Sequence, residues 1–267
     1  MSKIRFIILI CLLFFSIAAS ATNNDTIFAV CREQCAANAN LAQVAKQFIG
    51  TPYMAGTLDG DSVERLKIRL DAFDCVTFVE TALALWRSNA KNYDDFTHEL
   101  QHIRYRNGAI DGYASRLHYT TDWLDNNAQK GTLTDITRRL GGIACNKNTN
   151  FMSRHTEAYP ALGDTAQLAA IRQIEAQINS CTHYFIPKNR VASIAAQIPE
   201  GAIIAITSTI DGLDCAHIGI ATKRNGATHL LHASSSQKCV CISKKTLADY
   251  LESNKKFSGI IVAKPIK

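Results

Sequence analysis

Charged residues are scarce, at 19% of a 267-residue chain that is 47% hydrophobic. That balance excludes a disordered polypeptide and supplies enough apolar surface for one large domain or two small ones. No period of about 20 to 50 residues recurs, which excludes a solenoid or propeller. No basic cluster with interleaved aromatics occurs, so nucleic acid is not an expected partner. There is no C-x-x-C pair of the zinc-ribbon kind, no G-x-x-x-x-G-K-[ST] phosphate loop and no G-x-S-x-G serine elbow. Neither a metal nor a cofactor is therefore expected. The nine cysteines do not outline a small disulfide scaffold, because their spacings are wide and a domain of this size needs no staples.

Only the start of the chain offers a continuous apolar run. Lys3 and Arg5 precede Phe6 to Phe15, and small residues follow up to Ala19-Ser20-Ala21. A charged start, a short apolar stretch and an A-x-A ending read together as a secretory leader cut after Ala21. The run is too short to span a bilayer comfortably. Residues 1–21 are thus expected to be removed, leaving 22–267 as a single domain without a membrane anchor, exported to the periplasm foremost or out of the cell. Export permits disulfides, and Cys31 and Cys35 stand one helical turn apart, close enough to bridge. The formal charge of +6 loses two units with the leader. A mildly basic surface fits an anionic polymer without selecting one.

Hydrophobic spacing divides the remainder in two. Leu41, Val44, Ala45 and Phe48 repeat at helical intervals within 36–49, and Gly50 ends that helix. The turn Gly50-Thr51-Pro52-Tyr53 follows, then a loop punctuated by Gly56 and Gly60. From Asp74 to about Asn89, Val76, Phe78, Val79, Ala82, Leu83 and Trp86 form one apolar stripe, with Asp74 at the capping position. Further helices are expected near 96–105, 119–127, 167–180 and 191–197, and short strands at 133–136 and 150–153. Beyond Pro199 the chain turns β-rich. Residues 201–208, 217–222, 229–233, 239–242 and 259–263 read as strands, with a Thr246-capped helix over 246–254. Helices first and a mainly antiparallel sheet afterwards make an α+β fold.

Cys75 would open the Asp74-capped helix. A thiol attacks a carbonyl as thiolate, and its unperturbed pKa is about 8.5. Unpaired N–H groups and the dipole at a helix start favour negative charge, so a lowered thiol pKa is expected. The same N–H groups can receive an oxyanion. A nucleophile needs a base, and the base needs an orienting group. His217 opens the strand His217-Ile218-Gly219-Ile220-Ala221, sharing its face with small Gly219 and Ala221, which leaves room for another group. His229 and His232 lie three apart on the next strand and point to opposite faces, so only one can reach His217. His232 is the one expected to fix its tautomer.

These stretches resemble a known family. Gly50-Thr51-Pro52-Tyr53, Asp74-Cys75-Val76-Thr77-Phe78-Val79, His217-Ile218-Gly219-Ile220 and His232-Ala233 look like the papain-like (NlpC-type) cell-wall hydrolases. Ile103-Arg104-Tyr105-Arg106, Ser115-Arg116-Leu117-His118-Tyr119, Phe151-Met152-Ser153, Tyr184 to Lys188 and His232-Ala233-Ser234-Ser235 look like the N-acetylmuramoyl-L-alanine amidase-like branch. No single motif is specific, but the ordered set is, and it covers about residues 40–265.

The resemblance implies a papain-like core of helices on an antiparallel sheet, with a large, mostly helical insertion at about 90–200 shaping a cleft. It implies a monomeric amidase that cuts between N-acetylmuramic acid and L-alanine in peptidoglycan or a muropeptide, through a thioester. Cys75 would attack, His217 would relay the proton and His232 would orient His217. Tyr53 would stand near the oxyanion or the substrate backbone. Asp74 would either bind a substrate amine or only cap its helix, since Val76 replaces the serine usual in related endopeptidases. Arg116 and His118, within the insertion, are candidates to meet the muramic acid carboxylate or the peptide. An endopeptidase cutting after γ-D-glutamate and an inactive wall-binding relative are the alternatives.

Overall fold

The computed structural model describes residues 24–33, 38–61 and 63–267. The leader and Cys35 lie outside the described residues, and with them the cleavage site and the Cys31–Cys35 bridge.

Nine helices are described, with short turns between some of them: α1 (24–33), α2 (Leu41–Lys46), α3 (Cys75–Arg87), α4 (Tyr93–Arg104), α5 (Thr120–Gln129), α6 (Phe151–Arg154), α7 (Thr165–Ser180), α8 (Lys188–Ile194) and α9 (Leu247–Glu252). The strands are β1 (Leu133–Asp135), β2 (Ile143–Cys145), β3 (His183–Pro187), β4 (Ile203–Ser208), β5 (Cys215–Arg224), β6 (Ala227–Ser234), β7 (Cys239–Ile242) and β8 (Phe257–Pro265). They form one sheet in the order β2-β3-β8-β4-β5-β6-β7, with β1 also paired to β8, and every named pairing is antiparallel.

Both faces of this sheet are covered, so the first four residues of β4, Ile203 to Ile206, read as an apolar run rather than an alternating one. Ile203, Ala205, Ile218, Ile220 and Leu231 face α3 through Phe78, Val79, Ala82 and Leu83. Ile204, Ile206, Ala221, Leu230 and Val262 face Val191 of α8 and Leu247 and Leu251 of α9. Capping fixes where the site's helix begins. Asp74 accepts the N–H groups of Val76 at 2.9 Å and Thr77 at 2.8 Å, and the Thr77 hydroxyl takes the Asp74 N–H at 3.0 Å.

Four expectations need correction. Residues 150–153 form no strand, because α6 starts there: the N–H groups of Asn150 and Phe151 go to the Gly212 carbonyl and that of Met152 to the Tyr119 hydroxyl. The first expected helix is shorter, starting at Leu41 behind an Asn40 cap. The strands β2 and β3 were not expected at all. Finally, residues 90–200 do more than wall a cleft, since β1 and β3 come from them and both pair with β8. Among the described residues no helix is long and apolar enough to cross a membrane.

Candidate active site

Three chain segments meet at the head of α3. The turn before Tyr53 is tied on both sides: Tyr53 N–H donates to the Lys238 carbonyl at 2.9 Å, and Phe73 N–H donates to the Pro52 carbonyl at 3.0 Å. Tyr53 is thereby held beside Asp74 and Cys75. Its phenol pKa is raised by burial first, then by the charges of Cys75 and Asp74.

The second segment is β5. Its register slips between Ile206 and Thr207 of β4: His217 pairs with Ile206, but Cys215 pairs with Thr207, leaving Ala216 as an extra residue. Such bulges re-aim the side chain beside them. The third segment is β6. The β5–β6 ladder ends at Ile220 opposite Leu231, although β5 runs back to Cys215 and β6 on to Ser234. Where the ladder stops, the Ile218 N–H acts on the Cys75 sulfur and favours its thiolate.

His217 and His232 meet in this gap. His217 Nε2 lies 2.6 Å from His232 Nδ1, with the rings nearly perpendicular at 85°. Gly219 makes the approach possible, since a Cβ there would stand 3.0 Å from His232 Cβ and 2.9 Å from the Leu231 carbonyl. His229 faces the other way, its Nδ1 2.9 Å from the Ser243 carbonyl.

Cys75 and His217 line one cavity of about 170 Å³, with His118, Tyr119, Met152, Tyr159, Asp214, Cys215 and the Ile218 backbone around it. The electrostatics overturn one expectation. Burial pushes the Cys75 thiol up to about 12, and Asp74 adds to this; the N–H groups of Ile218, Cys75 and Val76 pull the other way and lose. Burial likewise holds His217 down at about 3, with His232 contributing, and His232 at about 4. The helix start offers N–H groups to the sulfur, but desolvation outweighs them. At neutral pH the pair is a thiol and an imidazole, both uncharged.

The other expected site residues divide. Asp74 uses Oδ1 for the cap, while its Oδ2 meets only the Thr57 hydroxyl, at 3.4 Å. His118 borders the cavity, but burial and Arg116 lower its pKa to about 3 and its Nε2 sits 2.9 Å from the Tyr113 carbonyl. A neutral ring brings no positive charge to a carboxylate, so of the two expected contacts for His118 the peptide suits it better. Arg116 stands outside that lining. It is buried, its guanidinium faces Asp59 and Glu64 at 3.5 Å each, and it lies over the Tyr113 ring rather than in the cavity lining.

Some of the lining was not foreseen. Asp214 is fixed by the Thr121 N–H at 2.8 Å and hydroxyl at 2.5 Å, and Lys147 ties the preceding turn through the carbonyls of Ser208, Ile210 and Leu213. Tyr159, from the insertion, reaches the cavity too. Neither carries a spacing signal. One legible signal was passed over: His98-Glu99-Leu100-Gln101-His102 has the H-E-x-x-H spacing of zinc hydrolases, on α4. Glu99 is engaged by Arg87 at 2.8 Å, and among the described residues no three His, Cys, Asp or Glu converge to hold a metal. His98 and His102 border a separate cavity away from Cys75.

A Bacteroides uniformis structure described as an N-acetylmuramoyl-L-alanine amidase is 36% identical, covering 85% of this chain and 98% of its own, with a TM-score of 0.82. A Bacteroides fragilis structure, named provisionally as a xylanase, is 38% identical over 82% of this chain and 98% of its own, with a TM-score of 0.78. A Legionella pneumophila structure shares the fold at 24% identity, covering 94% and 96% of the two chains, with a TM-score of 0.69. No curated protein matches. The AmiA-like pattern, described as N-acetylmuramoyl-L-alanine amidase-like, matches residues 43–260, and the chain belongs to that family.

Proposed function

We propose that the protein is a thiol amidase that cuts the bond between N-acetylmuramic acid and L-alanine in peptidoglycan fragments. The observation that carries this is the convergence of Cys75 and His217 on one cavity, with His232 in contact behind His217 at 2.6 Å. A capped helix head meeting a histidine strand supports the papain-like (NlpC-type) reading of the fold, and the apolar start of the chain supports export to the periplasm.

The steps follow from the neutral resting pair. Cys75 passes its proton to His217 as its sulfur attacks the lactyl carbonyl carbon, so no thiolate need be stored beforehand. The oxyanion is received by the Cys75 N–H, since the Asp74 cap takes those of Val76 and Thr77, with the Tyr53 hydroxyl as the second donor. The His217 imidazolium gives its proton to the leaving L-alanine nitrogen, and a thioester remains. Water then loses a proton to His217, attacks the thioester and releases Cys75 as thiol.

The xylanase name of one relative does not fit this cavity. Glycoside hydrolysis ordinarily uses two carboxyl groups flanking the bond. Of the described residues lining the cavity, Asp214 alone carries one, and Thr121 holds it. Digestion of purified muropeptides with mass analysis tests the proposal. Release of intact stem peptide is expected, and Cys75→Ala is expected to abolish it while the protein stays folded. Release of L-Ala-γ-D-Glu would replace the amidase by an endopeptidase, and native-rate cleavage by the variant would remove the thiol mechanism.

A further inference from the structure

We infer that Cys241 is a positioning residue whose sulfur accepts the Nε2–H of His232 and so sets the tautomer of both site imidazoles. This rests on the thiol reading above and adds one group to it.

The placement is a matter of register. Cys241 is the cross-strand partner of His232 in the β6–β7 ladder, and Cys239 is the partner of Ser234 on the same face. Cys241 Sγ lies 4.0 Å from His232 Nε2. Burial, and after it the neighbouring Cys239, raise the Cys241 thiol pKa and keep its sulfur protonated. A protonated thiol still carries lone pairs on sulfur, and these are what the imidazole N–H meets. The Tyr250 ring, 5.3 Å from His232 at 76°, closes the remaining side and limits rotation of the imidazole.

A neutral imidazole carries one N–H, and its place decides the role of the other nitrogen. With the proton of His232 on Nε2, its Nδ1 has only a lone pair and must accept from His217 Nε2–H across the 2.6 Å contact. His217 Nδ1 is then bare, as a base must be. With the proton of His232 on Nδ1, the contact reverses. His217 then presents Nδ1–H to the cavity, where it can take no proton from Cys75. Only the first arrangement works, and Cys241 is the acceptor that selects it.

Ring nitrogen shifts of the histidines by ¹⁵N NMR, recorded at pH 7 without substrate, test this directly. In the wild-type protein, His217 and His232 are both expected to be protonated at Nε2. Cys241→Val, close in volume but without an acceptor, should move the His232 proton toward Nδ1 and lower kcat by roughly tenfold or more at unchanged KM. Cys241→Ser should restore the wild-type tautomers and much of kcat. A wild-type spectrum with His232 protonated at Nδ1 would overturn the inference, as would a folded Cys241→Val protein with unaltered shifts and rate. Should that variant not fold, the wild-type and serine spectra decide. The tautomers are read without turnover, so failure of the thiol mechanism in Cys75→Ala is a separate result.

Discussion

Cys75 is pulled two ways: backbone N–H groups favour its thiolate, and burial beside Asp74 opposes it more strongly. Alkylation of the free enzyme by iodoacetamide should therefore be slow at pH 7 and accelerate only toward pH 10 and above. A rate that levels off near pH 7 would show a stored thiolate instead. Gly219 matters for a different reason. Adding a methyl in Gly219→Ala forces apart the backbone of β6 and His232. Turnover is expected to fall at least about tenfold, with stability reduced by about 1–3 kcal/mol for overpacking, read from kcat and urea unfolding. That His217 would meet one histidine of the next strand was legible in the sequence, because alternation put small residues beside its ring and let only one of His229 and His232 reach it; the structure shows that it is His232. Asp214 and Tyr159 were not, since each reaches the cavity through partners distant in sequence.

Helices α3 and α4 are joined by a buried ion pair. Arg104 Nε lies 2.7 Å from Glu80 Oε2, and its Nη1 donates to the Lys67 carbonyl at 2.6 Å, so one guanidinium fastens two helices and the loop leading to Asp74. Glu80→Ala would leave the arginine charged and alone in the interior. A loss of about 3–5 kcal/mol is expected in urea unfolding; a loss below about 1 kcal/mol would mean that water reaches the arginine. Most elements were readable from their own residues, as the caps at Asp74 and Thr246 and the apolar runs of β4 to β8 show. The failures share one cause. In β2, β3 and α6 the backbone partners come from elsewhere in the fold, so local pattern carried little information.

Across the molecule, burial sets the response to acid. His118, His217 and His232 are held below the ordinary histidine pKa of about 6.5, so below that pH the unfolded chain binds protons that the folded one refuses. Their contribution to stability is present above pH 6.5 and is lost as pH falls toward 4. Glu80, Asp122 and Asp214, raised by burial, act in the opposite sense at the acid end. A comparison isolates one group: the stability of wild type relative to His118→Gln should shrink between pH 6.5 and 4. A constant difference in thermal midpoint would mean that His118 titrates normally.

The sheet has an unusual order of completion. An interior strand, β8, joins β1 and β3 on one side to β4 on the other, yet β8 is formed by residues 257–265. A ribosome releasing this polypeptide lets Cys75, His217 and His232 out before the piece that seals the scaffold. Pairing over more than a hundred residues is slow to nucleate. The growing chain therefore has no finished blade until residues 257–265 have emerged, a built-in delay between making the cutter and completing its frame.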